Sequence, residues 1–278
     1  MVESVKVRPV RLIVGLIVLL IGIAVLVAGI LMWRIGGVDK YIKLESFSIK
    51  DQPVDKITEL EISIGSGDLI INKGGDRLDL IAENVPEGYY SYGTTDGRFY
   101  IKQKSKLHIF SPYLYSFMLS DKSKPRVTLT VPDKEFDRIK LELGAGEATV
   151  DGLKAKNAEI HTGAGDFNSK NFNVSDDLEI EHGVGRAVFE DYDAGKIDIE
   201  SGIGELIFSG YVRKGMDAEC GIGEVDMTVY GSSSDYDIDA KSGIGSVNIE
   251  RNGGDGKEDI PFDIEGGIGE VNIRFVNK

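Results

Sequence analysis

Cysteine occurs once in the 278 residues, at Cys220, and histidine only at His108, His161 and His182. One cysteine excludes an intrachain disulfide framework. An extracytoplasmic chain without disulfides is ordinary for bacteria and unusual for animal secretion. No His–Cys cluster has zinc-ligand spacing. Proline is scarce at 7 residues, and with 28% charged residues the composition is that of a folded chain rather than a disordered one. Positive charge is also in short supply: 32 Lys and Arg stand against 46 Asp and Glu, for a net charge of -14. The first 37 residues carry +3, which leaves -17 on residues 38–278. So acidic a domain excludes nucleic acid and anionic lipid head groups as ligands and leaves cations or basic partners.

Against this background stands one long apolar run. Leu12 to Trp33 is 22 residues without a charge, about 33 Å of helix against a bilayer core of about 30 Å. A cleaved signal peptide has a shorter apolar region, and the nearest small-residue site, Val27-Ala28-Gly29, lies inside the run. Lys6, Arg8 and Arg11 precede it, so the positive-inside rule puts residues 1–11 in the cytoplasm and the C-terminal domain outside the cell. Trp33 falls where an interfacial aromatic belongs. The expectation is a single-pass cell-membrane protein: cytoplasmic 1–11, a transmembrane signal anchor over 12–33, a linker over 34–44. Gly15, Gly22 and Gly29 share one stripe of this helix, a candidate face for homodimer contact.

The rest is a repeat. A Gly-x-Gly triplet recurs at Gly144 and Gly146, Gly163 and Gly165, Gly183 and Gly185, Gly202 and Gly204, Gly221 and Gly223, Gly243 and Gly245, and Gly267 and Gly269, in steps of 19 to 24 residues. Gly65-Ser-Gly67 is an earlier copy. Five and three residues before each first glycine stand apolar side chains such as Ile139 and Leu141, or Ile197 and Ile199. The residue one before and the triplet's middle residue share that parity, so period-2 alternation assigns all four positions to one face of a strand. Beyond the second glycine the phase shifts, with apolar residues at the fourth and sixth places, as in Leu206 and Phe208. These fourteen glycines are therefore expected as the repeat's structural turns, where the chain rounds a corner. A second turn follows, as at Asp151-Gly152 or Ser209-Gly210. Each unit reads as two short strands and two corners in about 20 residues, and such coils bury their apolar faces only by stacking in parallel. The fold class expected is all-β: a β-solenoid over 144–278, preceded by an N-terminal β region or cap over 45–143. On stacking, the triplet's middle residues form an isoleucine ladder, Ile203, Ile222, Ile244 and Ile268.

Within the cap, 108–119 is aromatic and flanked by Lys104, Lys106, Lys122 and Lys124. It reads as cover for the solenoid end or as an exposed contact loop.

Few residues carry chemistry. Gly-x-Gly here lacks the third glycine of a dinucleotide fingerprint, and strands follow it, so no nucleotide and no other cofactor is expected. Three places after the first glycine stand Glu147, Asp166, Arg186, Glu205, Glu224, Ser246 and Glu270. Stacked about 4.8 Å apart they form an acidic ladder. Glu147, Asp166, Glu205, Glu224 and Glu270 are its candidate cation ligands, against the simpler reading of a solvated face relieved by Arg186. His182 and Cys220 fall at inward positions, as a hydrogen-bonded core residue and an inert thiol.

Ile64-Gly-Ser-Gly-Asp-Leu-Ile-Ile-Asn72, Val127-Thr-Leu-Thr-Val-Pro132 and Ile139-Lys-Leu-Glu-Leu-Gly-Ala-Gly146, with the repeats that follow, carry a family resemblance. Residues 45–275 resemble the bacterial β-strand-repeat "putative adhesin" family, a cell-envelope domain of unknown function. The resemblance implies a β-solenoid and a cell-envelope location, links some relatives to envelope stress responses, and supplies no catalytic residues. Three functions fit to different degrees. One is a non-enzymatic surface binding module of the adhesin kind, with a cell-wall partner. A second is an envelope structural or stress-regulatory subunit that binds another membrane protein. A polysaccharide-cutting enzyme would need Arg or Lys beside its carboxylates, and the ladder has one Arg.

Overall fold

The computed structural model describes residues 44–104, 124–253 and 259–278. The apolar run 12–33 and the aromatic segment 108–119 lie outside the described residues. Among the described residues no helix is long and apolar enough to cross a membrane.

The described chain is twelve strands: β1 (Leu44–Gln52), β2 (Glu59–Ser66), β3 (Asp68–Lys73), β4 (Leu78–Pro86), β5 (Tyr90–Thr95), β6 (Arg98–Gln103), β7 (Arg126–Val131), β8 (Phe136–Asp151), β9 (Lys154–Lys170), β10 (Asn173–Tyr230), β11 (Tyr236–Glu250) and β12 (Ile260–Val276). β10 runs through three coils as one continuously paired strand, its corners taken by glycines and by Asp191 at φ 54. Neighbouring coils pair in parallel and in phase with the repeat, so Ile139 lies beside Ala158, Leu141 beside Ile160 and Gly146 beside Gly165. This is a solenoid in which each strand is hydrogen-bonded to its equivalent in the next coil.

The Gly-x-Gly triplets are corners, as expected, but they are not turns between strands. Each lies inside a strand: the pair Gly243 and Gly245 within β11, for example, and the pair Gly267 and Gly269 within β12. At all seven triplets the bend comes from the second glycine. Gly146, Gly165, Gly185, Gly204, Gly223, Gly245 and Gly269 have φ between 131 and 152. Such a φ bends the strand while the pairing with the neighbouring coil continues on both sides.

Inward positions are filled as the alternation requires. Ile139, Ile160, Ile180, Ile197 and Ile199 are fully buried, as are Phe189 and Phe208 beyond the corner. Large and small side chains alternate between coils: Phe167 packs next to Ala187, and its ring meets that of Phe189 at 5.5 Å. The coil has three sides rather than the two expected. Phe172 and Val174, and likewise Tyr192 and Ala194, are buried beyond the second corner. The inward parity then shifts again between Ala194 and Ile197, and one coil earlier the register is irregular between Val174 and Leu178. The third side escapes a reading of alternation because it carries only two inward residues.

The regular stack begins earlier in the chain than Gly144. β2 and β3 form one rung around Gly65-Ser-Gly67, paired with β8 through Leu60–Ile139, Ile62–Leu141 and Leu69–Ala148. β6 and β7 form a further rung on its other side. Beyond that, β4 and β5 run antiparallel to β7 and β6, and β1 lies outside β4. This antiparallel layer closes one end.

The other end departs from chain order. Coils stacked in sequence would set Gly245 on Gly223 and leave Gly269 outermost. Instead Gly269 registers on Gly223, and Gly245 registers on the far side of Gly269. The whole strands follow: β12 pairs with β10, Met216 beside Phe262 and Val225 beside Val271. β11 pairs with β12, Ile238 beside Phe262. The last coil in sequence is therefore the penultimate rung. An amide row records the order: Asn272 Nδ2 donates to Asp226 Oδ1 at 2.9 Å, and Asn248 Nδ2 donates to Asn272 Oδ1 at 2.9 Å.

Candidate functional site

The first corner of successive coils builds an extended surface with distinct chemistry. Its geometry follows from the two glycines. At the first, a Cβ on Gly163 would lie 2.2 Å from the Gly144 carbonyl oxygen. At the second, Gly223 has φ +145, and a Cβ there would lie 1.7 Å from the Gly204 carbonyl oxygen. The same 1.7 Å separates a Cβ on Gly269 from the Gly223 oxygen, and one on Gly245 from the Gly269 oxygen. No L side chain fits these places, so the backbones of successive coils approach closely and leave a bare strip.

Beside the first glycines runs a trough of about 1210 Å³. Its wall is the row two residues before them: Ser63, Glu142, His161, Glu181, Glu200, Glu219 and Glu265, coil after coil. Glu142 is held by Lys140 at 3.0 Å. Burial pulls its pKa up, but hydrogen bonds from Lys140 and Ser63 outweigh that and leave it below the ordinary glutamate value. His161 Nδ1 lies 2.6 Å from Glu181 Oε2. Among the described residues no ion pair engages Glu200, Glu219 or Glu265.

His182 and Cys220 stand in the row at the base of the trough. His182 is buried, and its Nδ1 shares a 2.6 Å hydrogen bond with Thr162 Oγ1. Among the described residues no hydrogen bond of normal geometry reaches its buried Nε2. Burial holds its pKa below the ordinary histidine value, against a smaller opposing pull from the Gly185 backbone. Cys220 is half-buried, and desolvation pushes its thiol up to about 11. Such a thiol is protonated at neutral pH and a poor nucleophile.

From Gly183-Val-Gly185 onward the middle residue of each triplet points outward. Val184 is 51% exposed, Ile203 51%, Ile222 49%, Ile268 48% and Ile244 69%. This corrects the expectation that the triplet's middle residue shares the inward face. Parity cannot be counted through a corner whose second glycine has positive φ. The isoleucine ladder exists, but as a ridge in solvent, and its order is Ile203, Ile222, Ile268, Ile244 because β12 lies inside β11.

On the ridge's far flank lies the predicted acidic ladder. Register places Glu147 beside Asp166, Asp166 beside Arg186, Glu224 beside Glu270, and Glu270 beside Ser246. Arg186 Nε binds Glu205 Oε2 at 2.7 Å, and Asn248 Nδ2 donates to Glu270 Oε1 at 2.8 Å. Among the described residues no three His, Cys, Asp or Glu side chains converge as metal ligands would. The sequence reading places this one ladder; the glutamate row along the trough it does not single out. The trough and the outward ridge it does not show, since both depend on the corner. The chain leaves β6 and re-enters β7 at this same corner: Gln103 and Pro125 lie against Gly65 and Gly67.

The family model for Toastrack DUF4097 matches residues 57–277. No curated protein matches the chain. Among solved structures, a "putative cell adhesion protein" from Clostridium sporogenes is 22% identical, covers 84% of this chain and 100% of its own, and has a TM-score of 0.39. A "putative adhesin" from Bacteroides fragilis is 10% identical over 84% of this chain and 97% of its own, with a TM-score of 0.35. A "putative lipid binding protein" from Parabacteroides distasonis is 16% identical over 84% and 96%, with a TM-score of 0.39. At TM-scores under 0.5 these likenesses carry no argument about function.

Proposed function

This chain belongs to the Toastrack DUF4097 family, and from that premise we propose that it is a non-enzymatic binding module of the cell envelope. In this reading the 12–33 helix anchors it in the cell membrane, N-terminus inside, and the solenoid works outside the cytoplasm as an adhesin-like surface. The Gly15, Gly22 and Gly29 stripe gives two anchors a way to pair in the bilayer.

The observation that carries the reading is the corner surface: a trough and an aliphatic ridge that continue over successive coils of the solenoid. Repeat proteins present such extended faces to other macromolecules. Its groups suit binding better than bond-breaking. The one cysteine is protonated, and His182 is only 3% exposed, so little of its ring can meet a substrate.

Cosedimentation tests it. Among the described residues the core lies within 47–275, so residues 38–278 can be prepared without the anchor and spun with isolated cell walls and, separately, with liposomes. Pelleting with walls that is lost at high salt supports the adhesin-like reading. Pelleting with neither sinks it and leaves the second function, a subunit whose partner is another membrane protein.

A further inference from the structure

Three coils share one hexapeptide pattern, Glu-x-Gly-Ile-Gly-Glu: Glu200–Glu205, Glu219–Glu224 and Glu265–Glu270. In the chain the third is separated from the second by Lys241-Ser-Gly-Ile-Gly-Ser246, which carries no carboxylate. In space it is not. Because β12 lies between β10 and β11, Glu219 faces Glu265, Ile222 faces Ile268 and Glu224 faces Glu270, while Lys241 moves to the last rung. The out-of-order coil thus assembles a uniform patch of three rungs. Ile203, Ile222 and Ile268 stand in line at its centre, extended by Val184 on one side and Ile244 on the other. Glu200, Glu219 and Glu265 flank the line on the trough side; Glu205, Glu224 and Glu270 flank it on the other.

Five of the seven large hydrophobic side chains exposed among the described residues stand in this one line. Scattered exposed isoleucines need no explanation, but a contiguous row of them between charged rows marks an interaction surface. Its charge decides against two occupants. A second copy laid ridge to ridge brings glutamate rows against glutamate rows, and an anionic membrane surface is repelled in the same way. A partner with an apolar stripe and positive charge on both sides is complementary.

Spacing decides its shape. Rungs recur about every 4.8 Å, a helix presents same-face residues about every 5.4 Å, and a strand presents them about every 6.7 Å. Over the four intervals from Val184 to Ile244 a helix drifts out of step by about 2.4 Å and a strand by about 7.6 Å. We propose that the ridge docks a basic amphipathic helix of a partner protein, its apolar stripe on Ile203, Ile222 and Ile268 and its Lys or Arg residues against the two glutamate rows. The proposal rests on the reading of this domain as a binding module and names the surface and the partner's chemistry.

The test is a titration of the full chain in zwitterionic-lipid nanodiscs, with empty discs as the blank. The probe is a fluorophore-labelled 18-residue helical peptide with a leucine stripe flanked by lysines. The same peptide with glutamate flanks is the control. Threonine keeps the β-branch that suits a strand, so Ile203→Thr/Ile222→Thr/Ile268→Thr should weaken binding at least tenfold. Glu200→Gln/Glu219→Gln/Glu224→Gln should weaken it and flatten its salt dependence. The single Ile222→Thr change serves if the triple variant does not fold. Unchanged affinity in the isoleucine variants overturns the proposal, as does equal binding of the glutamate-flanked peptide. A chain that self-associates and becomes monomeric on Ile→Thr substitution assigns the ridge to a second copy and also overturns it. Failure here leaves wall cosedimentation untouched, and failure there leaves this titration untouched.

Discussion

Single glycines differ sharply in what they tolerate. Gly223 has both positive φ and a carbonyl oxygen where its Cβ would be. Gly88 has φ +67 and nothing within 4 Å. An alanine at Gly88 meets only the left-handed backbone cost, about 1–2 kcal/mol. At Gly223 it must also push two coils apart, so Gly223→Ala should cost at least about 3 kcal/mol. Urea midpoints of the two variants measure the difference. His182 makes the second prediction at this scale. Its folded pKa lies below the ordinary 6.5 because burial disfavours the charged ring. The neutral ring costs nothing above pH 6.5, and stability is lost as pH falls below it, since the unfolded chain takes up the proton first. His182→Thr copies the neighbouring Thr162 and removes the proton site. Urea midpoints at pH 7.5 and 5.5 should therefore lie closer together in His182→Thr than in the parent; an unchanged gap would clear His182 of the effect.

At the level of elements the surprise is the order of rungs. Alternation and the Gly-x-Gly spacing make the coils legible, because Ile139, Leu141 and their equivalents must bury one face and the corner admits only glycine. They do not say which coil neighbours which. Rungs of one parallel stack present nearly the same inward set, Ile238 and Ala240 in β11 against Phe262 and Ile264 in β12, so hydrophobic pattern alone is almost degenerate between the two orders. Gly245 and Gly269 are equally uninformative, since either could sit on Gly223. The outward residues hold a faint signal: the Glu-x-Gly-Ile-Gly-Glu coils match one another, and Lys241 does not match them. The direction of the ridge was illegible for a different reason, since a positive-φ glycine resets the count of faces. Cross-linking tests the order. Thr228 registers on Arg274, and Arg274 on Glu250. In a Cys220→Ser background, Thr228→Cys/Arg274→Cys should form a disulfide, because paired strands lie within the usual Cα separation for one. Thr228→Cys/Glu250→Cys spans two rungs, about 9.6 Å, and should not. Coils stacked in chain order would reverse the two results.

Over the whole solenoid the two ends are closed differently, and this sets where it opens. The antiparallel strands β4 and β5 cover one end. At the other, β11 is the last rung among the described residues, and its inward side chains Ile238, Ala240, Val247 and Ile249 are only partly buried. The equivalent β12 residues, Phe262, Ile264, Val271 and Ile273, are fully buried between two neighbours. In a stack, a rung's stability is its own plus that of its interfaces, and β11 has one interface where β12 has two. Lys241, exposed on that outer coil, is the kind of charge that keeps an edge strand from recruiting another. Hydrogen exchange should therefore run against the sequence. Amides of residues 236–250 should exchange before those of 260–276, although the latter end the chain, and protection should rise further into β9 and β10. Peptide-level exchange read by mass spectrometry separates the cases. If 260–276 opened first, the C-terminal coil would be the free end, the three glutamate-flanked isoleucines would not be contiguous, and the ridge would lose the uniform flanks on which its partner's chemistry is argued.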